Sequence, residues 1–329
     1  MSLLVNGEMQ FDWFEKITEG GEFSRMESSF RNWITVDGQA GPSGEAGFKA
    51  EPGRYHLYVS YACPWAHRTL IFRKLKKLED IISVSIVDPR MSDKGWSFTA
   101  FPDATDDEVN HAEYMYQNYL TSQNDFTGIV TVPVLWDKQQ KCIVNNESSE
   151  IIRMLNNAFN QWGDDSVDLY PEHLRNEIDS VNERIYHGIN NGVYRCGFAT
   201  TQKAYDAAFD ILFNTLDEIE MRLTDKRYLT GNEITEADWR LFVTLLRFDM
   251  VYVNLFKCNQ QRIEDYPALS HYLRELYQWP GIEETVNINH IKTHYYYSLT
   301  TINPSRIIPQ GPNLDYLREH NRGKMAEGI

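Results

Sequence analysis

The stretch Tyr55–Leu78 reads YHLYVSYACPWAHRTLIFRKLKKL. Tyr55, Leu57 and Val59, an alternating and partly β-branched set, predict a short buried strand. Ser60, Tyr61 and Ala62 make a brief connection before Cys63-Pro64 opens a helix. Proline suits the first helical position because no intrahelical bond needs its N–H. Leu70, Ile71 and Leu75 give that helix an apolar face, and Arg68, Arg73, Lys74, Lys76 and Lys77 a charged one. A cysteine at a helix N-terminus meets the positive end of the dipole and N–H groups with no intrahelical partner. Such seats favour thiolate over thiol and bring cysteine pKa values down to roughly 3.5–7.5. Cys63 is therefore the candidate nucleophile. Cys142, Cys196 and Cys258 have no such context and read as small core residues. Ala66 stands where a second cysteine would complete Cys-x-x-Cys, so a disulfide formed at Cys63 calls for an external thiol.

Downstream, Ile82–Val87 alternates as a second strand. Residues 88–128 form a long connection rich in Asp, Gly and Pro, of a length that is usually functional when ordered. Trp96 and Phe98 argue against plain disorder there, and His111–Leu120 reads as a helical piece. Val130-Thr131-Val132-Pro133-Val134-Leu135-Trp136 is strand-like apart from its proline, which belongs at an edge or a special bond. A short strand then ends at Asn145-Asn146, and a helix begins at Glu147-Ser148. Ser148 with the exposed N–H groups of that helix offers an anion site, and Glu147 a carboxylate for an ammonium. The same residues also read as an ordinary helix cap.

Upstream, residues 1–53 precede the first strand of the body as an extension. Phe11, Trp13, Phe14, Phe23, Phe30 and Trp33 make it too apolar for a disordered tail, so it is expected to lie along the body and help wall the site. Residues 160–170 form a polar connector, after which the period is helical. Leu174, Ile178, Val181 and Ile185 recur at helical spacing, as do Ala208, Ile211, Leu212, Leu216 and Ile219 within Ala204–Leu223. Thr235 and Asp238 form a capping-box signature ahead of Leu241-Phe242-Val243 and are assigned to folding. Two aromatic clusters stand in this half, Tyr194 within a helix break at residues 190–198 and Tyr295-Tyr296-Tyr297 near the end.

At 329 residues, 42% hydrophobic and 24% charged, the chain can form two globular domains. A formal net charge of −15, with no basic run, argues against nucleic acid as a partner. The start, MSLLVNGEMQFDWFEK, has no basic region followed by a long apolar run, and no stretch approaches a membrane span. Four scattered cysteines fit neither a disulfide framework nor a zinc pattern, and a cytoplasmic location is expected. His290 and His294 are spaced as a metal pair, but no third ligand stands at matching spacing, so no metal is expected.

Strand, Cys-Pro-Trp-Ala and helix resemble the start of a thioredoxin-like domain in a cysteine-type glutathione transferase. From the Arg31-Asn32-Trp33 stretch to Thr301-Ile302-Asn303-Pro304, the chain resembles the glutathionyl-hydroquinone reductases, the omega-like Xi class. The resemblance implies an α/β plus all-α fold: an N-terminal thioredoxin-like domain followed by an all-helical glutathione-transferase C-terminal domain. The implied division is an extension over 1–53, a glutathione-binding domain over 54–160 with the 88–128 insertion, a helical domain over 168–300 and a tail over 301–329. It further implies that Pro133 is cis, that the Val132 backbone pairs with a glutathione peptide group, and that Trp96, Glu147 and Ser148 contact glutathione. Tyr194 and Tyr295 are implied to face and protonate a quinol, with Tyr296 the alternative to Tyr295. Glutathione would serve as co-substrate, glutathionyl-hydroquinone as substrate, and the protein would be a homodimer. A general omega-like thioltransferase or dehydroascorbate reductase using Cys63 is the nearest alternative. A ligand-binding protein without catalysis is the other.

Overall fold

The computed structural model describes residues 2–10 and 18–326. The chain divides into two compact units. The first holds residues 2–10, 26–168 and 285–308; the second holds 18–25, 169–284 and 309–326.

In the first unit the N-terminal segment already forms strands, contrary to the expectation that strands begin only at Tyr55. β1 (Ser2–Val5) and β2 (Glu8–Gln10) are an antiparallel hairpin, and β3 (Trp33–Thr35) and β4 (Gly47–Lys49) a short parallel pair. Phe11, Trp13 and Phe14 lie outside the described residues. The main sheet begins with β5 (Tyr55–Val59), followed by α1 (Pro64–Leu75) and β6 (Ser83–Ile86). Next come α2 (Met115–Ser122), β7 (Gly128–Val130), β8 (Val134–Asp137), β9 (Cys142–Asn145) and α3 (Ser148–Asn157). The sheet order is β6-β5-β8-β9, with β5 parallel to β6 and antiparallel to β8. This is the thioredoxin-like arrangement.

β5 is central and buried along its whole length. Two of its side chains carry polar groups into that interior and hydrogen-bond there. His56 Nδ1 is hydrogen-bonded to Ser83 Oγ at 2.7 Å, and the Tyr58 hydroxyl donates to Asp107 at 2.9 Å. Burial pushes the His56 imidazole down to about 4, so it is neutral at physiological pH. Both edges of the sheet are covered. Residues 30–32 run antiparallel to β9, with Asn32 N–H to the Val144 carbonyl at 3.1 Å, while Thr105 N–H bonds the Ile86 carbonyl at 2.9 Å on β6.

The 88–128 connection is ordered around Asp107, whose carboxylate also accepts from the Val109 and Asn110 N–H groups and from Asn118. The helix expected from His111 starts only at Met115. His111 takes a left-handed φ of 56°, and the Gln117 side chain accepts from the N–H groups of Glu113 and Tyr114, fixing the start there. The run expected as one strand over 130–136 is two, β7 pairing with β1 and β8 with β5, with the Val132–Pro133 cis bond between them.

The second unit is helical. α4 (Arg175–Ile185) buries Ile178, Val181 and Ile185 and continues through a π-helical turn, Tyr186–Asn190, into α5 (Gly192–Gly197). α6 (Gln202–Asp225) buries Ala208, Leu212, Leu216 and Ile219, whereas Ile211, expected on the same face, is exposed. α7 (Glu236–Arg247) starts at the Thr235/Asp238 capping box, and α8 (Pro267–Tyr277) follows a second π-helical turn, Phe248–Tyr252. Gly188 lies where the first π turn passes α6. A Cβ there would stand 2.2 Å from Thr215 Oγ1 and 2.7 Å from Thr215 Cβ. Gly188→Ala is expected to destabilise the protein by roughly 1–3 kcal/mol through overpacking, measured by denaturant unfolding. A variant as stable as the parent would show that the turn yields. The last helix, α9 (Ile288–Thr293), and a third π-helical turn, His294–Ser298, belong to the first unit.

Candidate active site

Cys63 is the N-cap of α1, with φ −76° and ψ 120°, and Pro64 occupies the first turn behind it. Its side chain does not cap the helix. Instead Sγ points to the loop between β7 and β8 and donates to the Val132 carbonyl at 3.4 Å. The thiol is thus presented at the positive end of a twelve-residue helix, partly open to solvent. Ala66, one turn on, is fully buried, so no second thiol stands at that position. The other cysteines sit differently. Burial pushes the Cys142 thiol up to about 11, and Cys258 is also pushed up, by burial and by the neighbouring Cys196. Both shifts disfavour a thiolate.

The N-terminus of α3 meets this seat through a residue that its sequence context placed on a charged outer face. Arg68 is 1% exposed, its guanidinium lies 4.6 Å from the Trp65 ring, and Nη1 donates to Ser148 Oγ at 3.4 Å. Lys76, expected on the same face, is also buried and donates to the Val167 carbonyl. Ser148 is buried as the first residue of α3, and Glu147 is its N-cap. One Glu147 oxygen accepts from the Ser149 N–H at 3.0 Å and hydroxyl at 2.8 Å, the other from the Ser28 hydroxyl at 2.9 Å. Burial alone would push this carboxyl up. The Ser149 and Ser28 hydrogen bonds and the Arg68 charge outweigh it and hold the group below the usual range, ionised at neutral pH. The residues expected to face an anion are thus also the cap of this helix. Ser28 escaped the sequence reading because the segment around it has no periodicity to mark an inward side chain.

A third wall comes from the long connection and α9. Trp96 is nearly buried, its ring stacked on His294 with centroids 4.7 Å apart. His294 Nδ1 and the Ser298 hydroxyl both bond the Pro89 carbonyl, and Ser298 accepts from the Met91 N–H at 2.9 Å. Tyr295, in the same π turn, is 2% exposed, and Tyr296 is 3% exposed. One turn back, His290 bonds the Pro102 carbonyl at 2.6 Å and packs edge-on against Tyr61, two residues before Cys63. The two histidines considered as a metal pair thus each hold a backbone carbonyl. Among the described residues, no group of three or more His, Cys, Asp or Glu side chains could hold a metal ion. Nor is any helix among them long and apolar enough to cross a membrane.

The first unit therefore contains Cys63, Val132, Glu147, Ser148, Trp96 and Tyr295. Tyr194 belongs to the second unit, on α5. Its half-buried ring lies among Phe23, Phe198, Tyr252 and Phe256, at centroid distances of 6.3, 6.2, 6.1 and 5.5 Å.

Comparison with known proteins identifies the family. The family model for the glutathione S-transferase N-terminal domain matches residues 62–158, and that for the C-terminal domain residues 202–275. Glutathionyl-hydroquinone reductase YqjG of Escherichia coli (strain K12) is 53% identical over 98% of both chains. Its glutathione-bound structure superposes with a TM-score of 0.90, covering 98% of this chain and 99% of that one. Glutathionyl-hydroquinone reductase PcpF of Sphingobium chlorophenolicum is 49% identical over 95% of this chain and 96% of its own. The Xi class transferase of Natrialba magadii is 47% identical, with a TM-score of 0.90 over 98% of this chain and 97% of that one.

Proposed function

Since the chain belongs to the glutathionyl-hydroquinone reductases, the Xi class of glutathione transferases, we propose that it reduces glutathionyl-hydroquinones to hydroquinones with glutathione as reductant. The observation that carries this reading is the seat of Cys63: a thiol at a helix N-terminus, turned to the Val132 carbonyl, with alanine where a resolving cysteine would stand. Glutathione binds over residues 54–160 as co-substrate. Its peptide pairs with the Val132 backbone, its γ-glutamyl group meets Glu147 and Ser148, and Trp96 flanks it.

The Cys63 thiolate attacks the thioether sulfur. A sulfur–sulfur bond forms to glutathione as the carbon–sulfur bond breaks, its electron pair passing to the ring carbon. Protonation of a quinol tautomer by Tyr194 or Tyr295 assists that departure, giving the free hydroquinone and a Cys63–glutathione disulfide. A second glutathione thiolate attacks the disulfide, releasing oxidised glutathione and restoring Cys63. In sum, glutathionyl-hydroquinone plus glutathione gives hydroquinone plus glutathione disulfide. A homodimer in the cytoplasm, free of metal, completes the reading.

Proton delivery to carbon is the step that separates this reaction from simple disulfide exchange. The Tyr194→Phe/Tyr295→Phe double variant is expected to lose hydroquinone release by roughly 10²- to 10⁴-fold. It should still reduce a simple glutathione mixed disulfide, which needs no protonated carbon. Absence of hydroquinone release from the parent protein, with brisk mixed-disulfide reduction, would instead make it a general thioltransferase.

A further inference from the structure

The guanidinium of Arg25 lies over the face of the Tyr194 ring, 4.7 Å from its centroid, within the range of a cation–ring attraction. Arg25 comes from residues 18–25, a part of the N-terminal segment that packs with the second unit. Several contacts hold it there. Thr200 N–H bonds the Gly21 carbonyl at 3.0 Å, and the Thr201 hydroxyl bonds the Gly20 carbonyl at 2.9 Å. Phe23 packs on Phe198 with centroids 5.3 Å apart. Arg25 Nε donates to Asn191 Oδ1 at 3.0 Å. Asn191 immediately precedes α5 and stands one turn before Tyr194, so this hydrogen bond ties the cation to the helix that carries the phenol.

Around the ring stand Phe23 and Arg25 from the N-terminal segment, Phe198 from the end of α5, and Tyr252 and Phe256 from beyond α7. Among these described neighbours Arg25 supplies a guanidinium and Tyr252 a phenol; the others are phenyl rings. When a phenol gives up its proton, negative charge spreads into the ring, and a cation on the ring face stabilises that form over the neutral one. An acid whose conjugate base is stabilised in this way gives its proton more readily to a weakly basic carbon.

We propose that Arg25 is a positioning residue for the reductase reaction, holding the Tyr194 ring and stabilising the phenolate that forms as Tyr194 protonates the quinol carbon. The proposal rests on the assignment of Tyr194 as an acid. The proton leaves the Tyr194 oxygen for the ring carbon, the electron pair stays on the phenolate, and water returns the proton before the next cycle. A surface arginine with a merely structural role would influence stability but not the pH at which the acid titrates.

The test is the pH profile of kcat for glutathionyl-hydroquinone in five proteins: the parent, Arg25→Gln, Arg25→Lys, Tyr194→Phe and, to close the cycle, the Arg25→Gln/Tyr194→Phe double variant. Arg25→Gln should lower kcat by roughly 2- to 30-fold, the range that a cation–ring contact is worth, and move the basic limb to higher pH. Arg25→Lys should restore part of both changes. In the Tyr194→Phe background, Arg25→Gln should have no further effect. A basic limb unmoved in Arg25→Gln, or two losses that simply multiply, would overturn the proposal while leaving Tyr194 as the acid. An unchanged kcat in Tyr194→Phe would overturn the acid assignment itself and the proposal with it. If Arg25→Gln folds poorly, Asn191→Ala, which removes the hydrogen bond to the Arg25 guanidinium, should shift the limb in the same direction by less, and a limb that stays in place would count equally against it.

Discussion

Replacing Cys63 with alanine is expected to abolish hydroquinone release, by at least about 10⁴-fold as for removal of other enzymatic nucleophiles, while leaving glutathione binding close to that of the parent. The two halves of that expectation have separate physical grounds. The chemical half follows because a thioether sulfur is attacked only by a soft nucleophile, and no cysteine stands at position 66 to take over. The binding half follows because the Cys63 side chain caps nothing. It donates to the Val132 carbonyl at 3.4 Å, and a thiol is a weak donor. The helix end, the Glu147 carboxylate and the Ser148 hydroxyl remain. Steady-state release of hydroquinone and calorimetric titration with glutathione measure the two halves. A stoichiometric reaction without free glutathione gives a sharper view. Each parent chain should release one hydroquinone and gain one glutathionyl group on Cys63, and the variant neither. Turnover within tenfold of the parent would remove Cys63 from the mechanism.

The largest expected change in stability is at Asp238→Ala. This carboxylate is fully buried and accepts from the Leu229 N–H at 2.9 Å, the Thr235 N–H at 2.8 Å and the Tyr272 hydroxyl at 2.7 Å. Its partners come from the loop before α7, from the helix N-terminus and from α8, so one side chain pins three pieces of the second unit. Alanine would strand three buried donors, each costing about 1–3 kcal/mol, and a total loss of roughly 3–5 kcal/mol is expected. A fall in Tm on the order of 10 °C follows for a protein of this size. Asn, which keeps one acceptor oxygen, should lose less. A fall below about 2 °C for alanine would show that water reaches these donors and that the cap is not the keystone of the unit.

What the sequence made legible follows the physics of each signal. The strand–Cys-Pro–helix run, the proline between strands and the Thr235/Asp238 box are local, and all three are found where their residues place them. Signals that depend on distant packing were harder to read. Arg68 has the look of a surface residue on its helix, and the Ser148 hydroxyl that helps to compensate its burial comes from eighty residues further along the chain. The strands before Tyr55 are three or four residues long, too short for periodicity to register, and exist because β7 accepts β1 and because β3 and β4 pair with each other. Trp96 and Tyr295 could be named as site residues only by family likeness. Their shared wall is made by His294 and Ser298 gripping the Pro89 carbonyl, across more than two hundred residues of chain. Arg25 had no signal at all.

The six alternating stretches that build the two units have a consequence for how such a protein can be inherited and recombined. A single crossover after residue 168 would hand the first unit on without its closing segment, which carries the Pro89 clasp, and would leave the second without residues 18–25. Neither parent's partner would supply matching pieces unless both were close kin. Shuffling of halves, open to proteins whose domains follow one another along the gene, is closed to this one. Its two units are expected to travel, diverge and be lost together.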